Sequence, residues 1–234
     1  MTTWTVTETS VRDAVARTDL DVSAQQIGQL TRYVNLLLQW NSTYNLTSIT
    51  SVDSVLKLHL LDSLSLVSAL NTKVIDGKRL LDVGSGGGLP VVPLAVMRPD
   101  IDCSAVDAVK KKTVFLKQVS AVCGLKNLHV CHDRVEKLQL PAFDVITSRA
   151  FASLIDMVTW TEHLLSENGQ WLAMKGKLPV DEIAALPADR LLKRNNFFLN
   201  QLINIFLGDA ACLKQKFPMH TQQPCSFLSH FSRY

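Results

Sequence analysis

The chain has 234 residues, of which 47% are hydrophobic and 19% charged, and its formal net charge at pH 7 is +3. This composition excludes a disordered chain and supplies enough apolar residues for one large or two small domains. No apolar run approaches the roughly 18 residues that span a bilayer, and no export signal opens the chain. The five cysteines form no paired framework. We therefore expect a cytoplasmic protein that contacts no membrane.

Residues 1–72 carry helical patterns and are interpreted as an N-terminal helical region. Ser23-Ala24-Gln25-Gln26 is a capping box that precedes apolar residues at helical spacing. A second helix is predicted over residues 52–70. Three of its polar residues share one face: His59, Asp62 and Ser63. We interpret them as a polar network that joins this region to the rest of the fold, in preference to a hydrolytic triad.

From Arg79 the pattern changes to alternating strands and helices, which is typical of a mostly parallel sheet with helices on both faces. We therefore predict an α/β fold, with a Rossmann-like domain over residues 73–188. The predicted strands cover residues 79–83, 102–106, 128–132, 143–147 and 169–174. The predicted helices cover residues 90–97, 109–123, 153–165 and 179–186. In such a fold the carboxyl ends of the strands meet at one edge, where ligands bind.

A glycine-rich turn, Asp82-Val83-Gly84-Ser85-Gly86-Gly87-Gly88, follows the first predicted strand. The dinucleotide fingerprint needs a further glycine at position 89, where this chain has leucine, and an acidic residue beside the loop disfavours a diphosphate. A Walker phosphate loop is excluded because no Gly-Lys-Ser or Gly-Lys-Thr follows. The carboxylate of Asp82 suits the ammonium or sulfonium group of S-adenosyl-L-methionine instead. We therefore interpret Gly84 and Gly86 as contacts of this cofactor.

Further candidate contacts follow the next two predicted strands. Asp107 lies 25 residues after Asp82, near the offset at which a carboxylate accepts both hydroxyl groups of a ribose. The alternative for Asp107 is an N-cap of the helix that follows. The stretch Asp133-Arg134-Val135-Glu136 fits an adenine, held by an apolar contact at Val135 and hydrogen bonds from the loop, or else an ordinary polar turn.

Arg149 follows the fourth predicted strand, in the middle of the expected active edge. Its guanidinium could pair with the carboxylate of the cofactor, orient Asp82 or Glu136, or bind a substrate phosphate. A purely structural ion pair is the competing interpretation.

Several motifs of this chain resemble one bacterial family. They are Trp40-Asn41, Tyr44-Asn45-Leu46-Thr47, His59-Leu60-Leu61-Asp62-Ser63, the glycine-rich turn with Leu89-Pro90, Phe115-Leu116-Lys117-Gln118-Val119, Ser148-Arg149-Ala150-Phe151-Ala152-Ser153 and Met174-Lys175-Gly176. Over roughly residues 22–188 the chain is similar to the small-subunit (16S) ribosomal RNA (guanine-N7) methyltransferase G family, also called glucose-inhibited division protein B. The Ser-Arg-Ala-Phe-Ala-Ser and Asn-Leu-Thr motifs make the resemblance specific, since the glycine-rich turn alone is generic.

The resemblance implies a class I methyltransferase that uses S-adenosyl-L-methionine to methylate N7 of one guanine in the decoding-region hairpin of 16S ribosomal RNA. Matched residue by residue, the cofactor contacts of the family fall on Gly84, Leu89, Val135, Glu136 and Arg149. Position 91 departs from the family, which usually has glycine there, and we expect only a small packing change at Val91. Ring N7 of guanine carries a lone pair and no hydrogen, so no catalytic base is expected.

The expected partner is small-subunit ribosomal RNA or its ribonucleoprotein precursor, and no obligatory protein partner is evident. Basic residues lie on or beside the strand-end edge: Lys110, Lys111, Lys112, Lys117, Arg134, Arg149, Lys175 and Lys177. If one of these lysines contacts a phosphate, its replacement should reduce the slope of log RNA affinity against log salt concentration by about one. Two alternatives stay open, namely a cofactor-binding RNA-binding protein without activity and a methyltransferase for another acceptor.

After Ala188-Asp189 the resemblance stops, and residues 190–234 hold six basic against one acidic residue. We interpret residues 189–234 as a divergent segment that an altered reading frame or a rearranged gene end near codon 189 would explain, and that could be disordered. The alternative is a genuinely divergent C-terminus. Its candidate helical stripe consists of Leu191, Phe198, Leu202 and Ile205. On this interpretation the fifth predicted strand is an exposed sheet edge. Four residues of the segment lack standard zinc spacing, so no metal site is predicted: Cys212, His220, Cys225 and His230.

Overall fold

The computed structural model describes residues 5–48, 51–71, 78–176, 179–186 and 197–201. By its internal contacts the chain divides into a unit Met1–Leu202 and a unit Ile203–Tyr234. The helical region and the sheet therefore belong to one compact unit, within which the boundary at residue 72 stays a prediction. The cysteines and histidines of the predicted divergent segment, and Lys177, lie outside the described residues.

The N-terminal helices are α1 (Glu8–Val15), α2 (Ala24–Tyr44), α3 (Val52–Ser54) and α4 (Asp62–Asn71), with a π-helical stretch, Val55–Leu61, between α3 and α4. The predicted capping box is confirmed, because Ser23 Oγ accepts from the Gln26 N–H at 3.3 Å and Gln26 Oε1 accepts from the Ser23 N–H at 2.9 Å. The predicted helix over residues 52–70 is confirmed too. Its middle is wound as π-helix, a form that is frequent at functional sites.

A six-stranded sheet follows the helical region. Its elements are β1 (Arg79–Val83), α5 (Val91–Met97), β2 (Asp102–Asp107), α6 (Lys110–Cys123), β3 (Leu128–His132), β4 (Phe143–Arg149), α7 (Leu154–Thr161), β5 (Leu165–Lys175), α8 (Val180–Ala184) and β6 (Phe197–Gln201). The strand order is β3-β2-β1-β4-β5-β6, and all neighbours pair in parallel. The carboxyl ends of the strands therefore share one edge, and the chain order reverses between β1 and β4, which is where open α/β sheets bind ligands.

The sixth strand corrects two expectations about the end of the chain. Trp171 of β5 pairs with Phe197 and Lys175 pairs with Gln201, so β5 is not the sheet edge that the sequence predicts. The candidate helical stripe is contradicted at Phe198, which lies in a strand, and its other three residues lie outside the described residues. The segment Phe-Phe-Leu-Asn-Gln contains two aromatic residues, which favour strands, and the unpaired backbone of β5 offers it hydrogen bonds.

The core lies on both faces of the sheet, as a sheet with helices on both sides requires. Leu80 and Leu81 of β1 are both fully buried, yet they belong to different apolar clusters because successive strand residues point to opposite faces. One cluster contains Leu30 of α2 and Phe115 of α6, and the other contains Met157 of α7. None of the described helices combines the length and apolar character needed to cross a membrane.

Candidate functional site

A cavity of about 430 Å³ opens at the carboxyl edge of the sheet. It is lined by Val83, Gly84, Val106, Asp107, Ala108, Lys112, Asp133, Arg134, Val135, Glu136, Ala150, Phe151 and Trp160. These residues end or follow β1, β2, β3 and β4 or lie on the helices after them, so the strand order brings together four segments that are far apart in the chain. The volume is within the range of pockets that hold small ligands.

The glycine-rich turn forms one wall of the cavity with a conformation that needs glycine at its first position. Gly84 has φ +68°, and a Cβ atom added there would overlap the ring of Phe151. The backbone N–H groups of Gly84 and Ser85 donate to the Val106 carbonyl at 2.9 and 3.1 Å, which ties the turn to the end of β2. Because Gly84 has no side chain, the ring of Phe151 can cover the turn. The turn and this ring together form this wall of the cavity.

The turn is also held from two sides by side chains. Tyr33 of α2 is fully buried and its hydroxyl donates to the Gly87 carbonyl at 2.7 Å. On the other side the Gly86 N–H donates to Asp107 Oδ2 at 3.0 Å. The sequence interpretation missed Tyr33, although a tyrosine inside the apolar stripe of α2 indicates a hydroxyl that needs a buried partner.

Asp107 lines the cavity, and its alternative interpretation as the N-cap of α6 is wrong, because the N-cap is Val109 and no side chain caps that helix end. Its Oδ1 accepts from the Val109 N–H at 2.8 Å at the start of α6, while Oδ2 accepts from Gly86. Lys112 Nζ lies 3.7 Å from Oδ2. Because each carboxylate oxygen can accept more than one hydrogen bond, these contacts leave room for the hydroxyl groups of a ribose.

Asp82 lies at the end of β1 and is completely buried. Neither carboxylate oxygen has a hydrogen-bond partner among the residues that the structure describes, and Asp82 does not line the cavity. Burial raises the pKa of this carboxyl well above its usual range, and the nearby negative charge of Asp107 adds to the rise. Burial thus disfavours the charged form of Asp82, whereas the sequence predicts a carboxylate at this position.

Val135 and Glu136 begin a 3₁₀ turn, Val135–Lys137, and both line the cavity, with Val135 buried and Glu136 exposed. Two aromatic residues also line the cavity, and the ring of Trp160 meets the ring of Phe151 edge-on at 5.7 Å between centroids. Trp160 is a second residue that the sequence interpretation missed. It lies on a helix rather than after a strand, so no strand-end pattern points to it.

Arg149 forms the structural ion pair that was the competing interpretation of this residue. Its Nη1 lies 3.1 Å from Asp62 Oδ2 and donates to the Leu58 carbonyl at 3.3 Å. Both terminal nitrogens also face His59 Nδ1, at 3.3 and 3.2 Å. Neither a contact with Asp82 nor one with Glu136 is among the hydrogen bonds and ion pairs of the described residues.

The protonation state of His59 follows from these contacts. His59 Nδ1 also lies 3.3 Å from the Leu58 carbonyl, but the two Arg149 nitrogens that face it can only donate. We therefore assign Nδ1 as an acceptor and the ring hydrogen to Nε2, which lies 2.7 Å from Thr47 Oγ1. Burial and the charge of Arg149 lower the pKa of His59 to about 4. Ser63 Oγ donates to the His59 carbonyl at 2.7 Å. The predicted polar network of His59, Asp62 and Ser63 is therefore present, and it joins the N-terminal helices to the end of β4.

The predicted site residues and basic residues divide into two groups. Gly84, Asp107, Val135 and Glu136 line the cavity, whereas Gly86, Leu89 and Arg149 do not. Leu89 is buried in the core, and Gly86 contacts the site through Asp107.

Among the basic residues, Arg149 is held by Asp62, and Lys175 Nζ lies 2.9 Å from Glu182 Oε2. Four others are exposed at or near the edge: Lys110, Lys111, Lys117 and Arg134.

The cavity residues fit S-adenosyl-L-methionine on chemical grounds. Gly84 has no side chain to fill the space beside Phe151, Asp107 offers lone pairs to hydroxyl groups, and buried Val135 offers an apolar surface. Behind the turn, the unpartnered carboxyl of Asp82 is a buried polar group that a cationic ligand would compensate. In the described part of the chain, no group of three or more His, Cys, Asp or Glu residues is arranged to hold a metal ion.

Comparisons with known proteins identify the family of this chain. The family model described as rRNA small subunit methyltransferase G matches residues 26–203. A protein named Ribosomal RNA small subunit methyltransferase G from Acidovorax sp. (strain JS42) is 48% identical over 191 residues, which are 78% of this chain and 84% of that protein. Proteins with the same name from Chromobacterium violaceum and Neisseria meningitidis serogroup A are each 47% identical, over 76% of this chain and over 83% and 84% of theirs.

Among solved structures, a SAM dependent methyltransferase from Aquifex aeolicus is 20% identical, with a TM-score of 0.43 over 50% of this chain and 64% of that one. The family match corrects the expected end of the resemblance, which extends through residue 203 and so includes β6. Because the family model covers more than half of the chain and relatives approach half identity, the chain belongs to the rRNA small subunit methyltransferase G family.

Proposed function

We propose that this protein transfers the methyl group of S-adenosyl-L-methionine to N7 of a guanine in the decoding-region hairpin of 16S ribosomal RNA. One observation carries the proposal: the family match over residues 26–203 includes every residue that lines the cavity at the carboxyl edge of the sheet. The named relatives are small-subunit ribosomal RNA methyltransferases, and we extend that activity to this chain. We place it in the cytoplasm, acting on the RNA or its ribonucleoprotein precursor.

The bound cofactor would supply an electrophilic methyl group, and the residues of the chain would hold it. We assign the ribose hydroxyl groups to Asp107, the adenine to Val135 and the loop at Glu136, and the amino-acid part to the turn at Gly84 and Gly86. Leu89 and Arg149 stay predicted contacts on the resemblance alone, since their side chains lie elsewhere in the structure.

The chemistry explains why the site can work without a general base. Ring N7 of guanine presents a lone pair and carries no hydrogen, so the attacking atom needs alignment and no proton transfer. The titratable side chains near the turn are consistent with a reaction that needs no proton transfer. Asp82 is buried behind the cavity, and His59 is held neutral by burial and by the charge of Arg149. What the protein contributes is binding and orientation.

A methyl-transfer assay tests the proposal. Purified protein is incubated with radiolabelled S-adenosyl-L-methionine and with 16S RNA that lacks the modification, and the methylated base is mapped. We expect a single labelled guanine N7, and we expect Asp107→Asn to raise the KM for the cofactor, because the amide offers only one acceptor atom. Val122→Ala, on the exposed far end of α6, is the matched control and should behave as the wild type. The proposal is overturned if the label appears only on another acceptor. It is also overturned if the protein binds the cofactor but no label is transferred.

A further inference from the structure

An aromatic pair ends helix α2 beside the cavity edge. The rings of Trp40 and Tyr44 lie 5.0 Å apart between centroids, one helical turn from each other. Trp40 is half-buried and packs against Phe115 of α6, with ring centroids 5.5 Å apart. Tyr44 is 42% exposed. The inner ring is therefore anchored in the core while the outer ring is presented to solvent.

Helices α2 and α6 run in opposite directions, which places the aromatic pair next to the basic start of α6. Gln29 Nε2, early in α2, donates to the Cys123 carbonyl at the end of α6 at 2.9 Å, whereas Trp40, late in α2, contacts Phe115 in the middle of α6. One further turn along α2 leads to Tyr44, and one turn back along α6 leads to Lys111. Tyr44 and the first turn of α6 therefore lie at the same end of the two helices.

The first turn of α6 carries Lys110, Lys111 and Lys112, although the helix dipole disfavours positive charge there. Lys112 lines the cavity and faces Asp107. Lys110 and Lys111 are exposed, and neither forms an ion pair with any acidic residue that the structure describes. Exposed cations beside an exposed aromatic ring are the combination that binds single-stranded nucleic acid, with the charges on phosphates and the ring on a base.

Tyr44 lies near the glycine-rich turn but is not among the residues that line the cavity. Leu46, two residues after Tyr44, lies 4.0 Å from the position that a Cβ atom on Gly87 would occupy. The exposed ring therefore suits an unpaired nucleotide next to the base that enters the cavity. A protein partner is less favoured, because the neighbouring surface is cationic.

We propose that Tyr44, backed by Trp40, is a stacking platform for an unpaired base of the RNA substrate, with Lys111 contacting an adjacent phosphate. This inference rests on the proposed function, since it assigns a contact of the same RNA outside the cavity. It goes further by predicting that stacking, and not charge alone, determines affinity at this position.

Binding of an unmodified decoding-region hairpin RNA to the full chain tests the platform. Tyr44→Ala should weaken binding by about 5- to 150-fold, the range for loss of one base–aromatic stack, without changing the slope of log affinity against log salt concentration. Tyr44→Phe keeps the ring face and should bind as the wild type. Lys111→Gln should instead reduce the salt slope by about one. The melting temperature and the affinity for S-adenosyl-L-methionine should be unchanged in all three variants.

Val122→Ala removes another exposed apolar side chain, at the far end of α6, and serves as the control for nonspecific effects. The platform is refuted if wild-type protein methylates the RNA while Tyr44→Ala binds it equally well. It is also refuted if Tyr44→Ala loses affinity only for ribonucleoprotein particles, because the ring would then contact a protein. Failure of the wild type to bind or methylate any small-subunit RNA would instead refute the proposed function.

Discussion

The glycine at position 84 can be tested against a second glycine that has almost the same φ angle. Gly84 has φ +68° and Gly124 has φ +67°, so an alanine at either position incurs the same left-handed strain, about 1 kcal/mol. A Cβ at Gly84 would overlap the ring of Phe151, whereas a Cβ at Gly124 would meet no atom within 4 Å. Overpacking of this kind costs about 1–3 kcal/mol. We expect Gly84→Ala to be destabilised by that amount more than Gly124→Ala.

The assay is urea unfolding of both variants, combined with calorimetric titration of S-adenosyl-L-methionine. Because Phe151 lines the cavity, its displacement in Gly84→Ala should also weaken cofactor binding by about tenfold or more, which corresponds to about 1.4 kcal/mol. Gly124→Ala should bind the cofactor as the wild type does, since Gly124 caps the far end of α6.

A double variant separates steric overlap from strain. In Gly84→Ala/Phe151→Ala the overlap is gone, so the alanine at position 84 should cost only its backbone strain relative to Phe151→Ala alone. The reasoning is refuted if Gly84→Ala and Gly124→Ala lose equal stability, or if the Phe151 substitution does not reduce the cost of alanine at position 84.

Three other predictions follow from buried polar groups. Tyr33→Phe leaves the Gly87 carbonyl without its buried partner and should lower the free energy of unfolding by about 1–3 kcal/mol, measured by urea denaturation; an unchanged value would show that the hydrogen bond has no net effect. His59 has a pKa near 4 when folded and about 6.5 when unfolded, so the unfolded state binds more protons between these values and stability falls as pH decreases through that window. In His59→Gln this fall in stability should be smaller. Burial raises the pKa of Asp62, so Asp62 contributes to the pH dependence with the opposite sign in both proteins. Parallel pH profiles of the wild type and His59→Gln would contradict the assignment. If a cation of the cofactor reaches Asp82, the dissociation constant of S-adenosyl-L-methionine should decrease as the pH rises and this carboxyl ionises, and the decrease should be absent in Asp82→Asn. Equal pH dependence in both proteins would show that this carboxyl does not sense the ligand.

Much of the fold follows from local patterns in the sequence. β1 and β3 begin and end where the apolar runs predict, and the capping box at Ser23 marks the start of α2. β5 is different, because it begins at Leu165, four residues before the predicted strand at residue 169. Its early part includes Glu167, Asn168 and Gly169, which have low strand propensity, and pairing with β4 overrides that preference through a shift of register between Phe143 and Val145.

The candidate site could be predicted only in part for a similar reason. Gly84, Asp107, Val135 and Glu136 follow strand ends, and parallel strands bring such residues to one edge. Trp160 lies on α7 and reaches the cavity only because α7 packs against the sheet. Strand-end spacing contains no information about this contact.

The sequence by itself determined the properties that neighbouring residues share: the glycine-rich turn, the alternation of strands and helices, and the motifs of the family. The tertiary structure decided the contacts between distant residues, such as Tyr33 with Gly87 and Arg149 with Asp62. It also decided how far each carboxyl and imidazole is removed from water, and therefore the direction of each pKa shift. The physical reason is that hydrogen bonding, overlap and desolvation depend on distance in space, which the packing of the helices on the sheet sets and local composition does not.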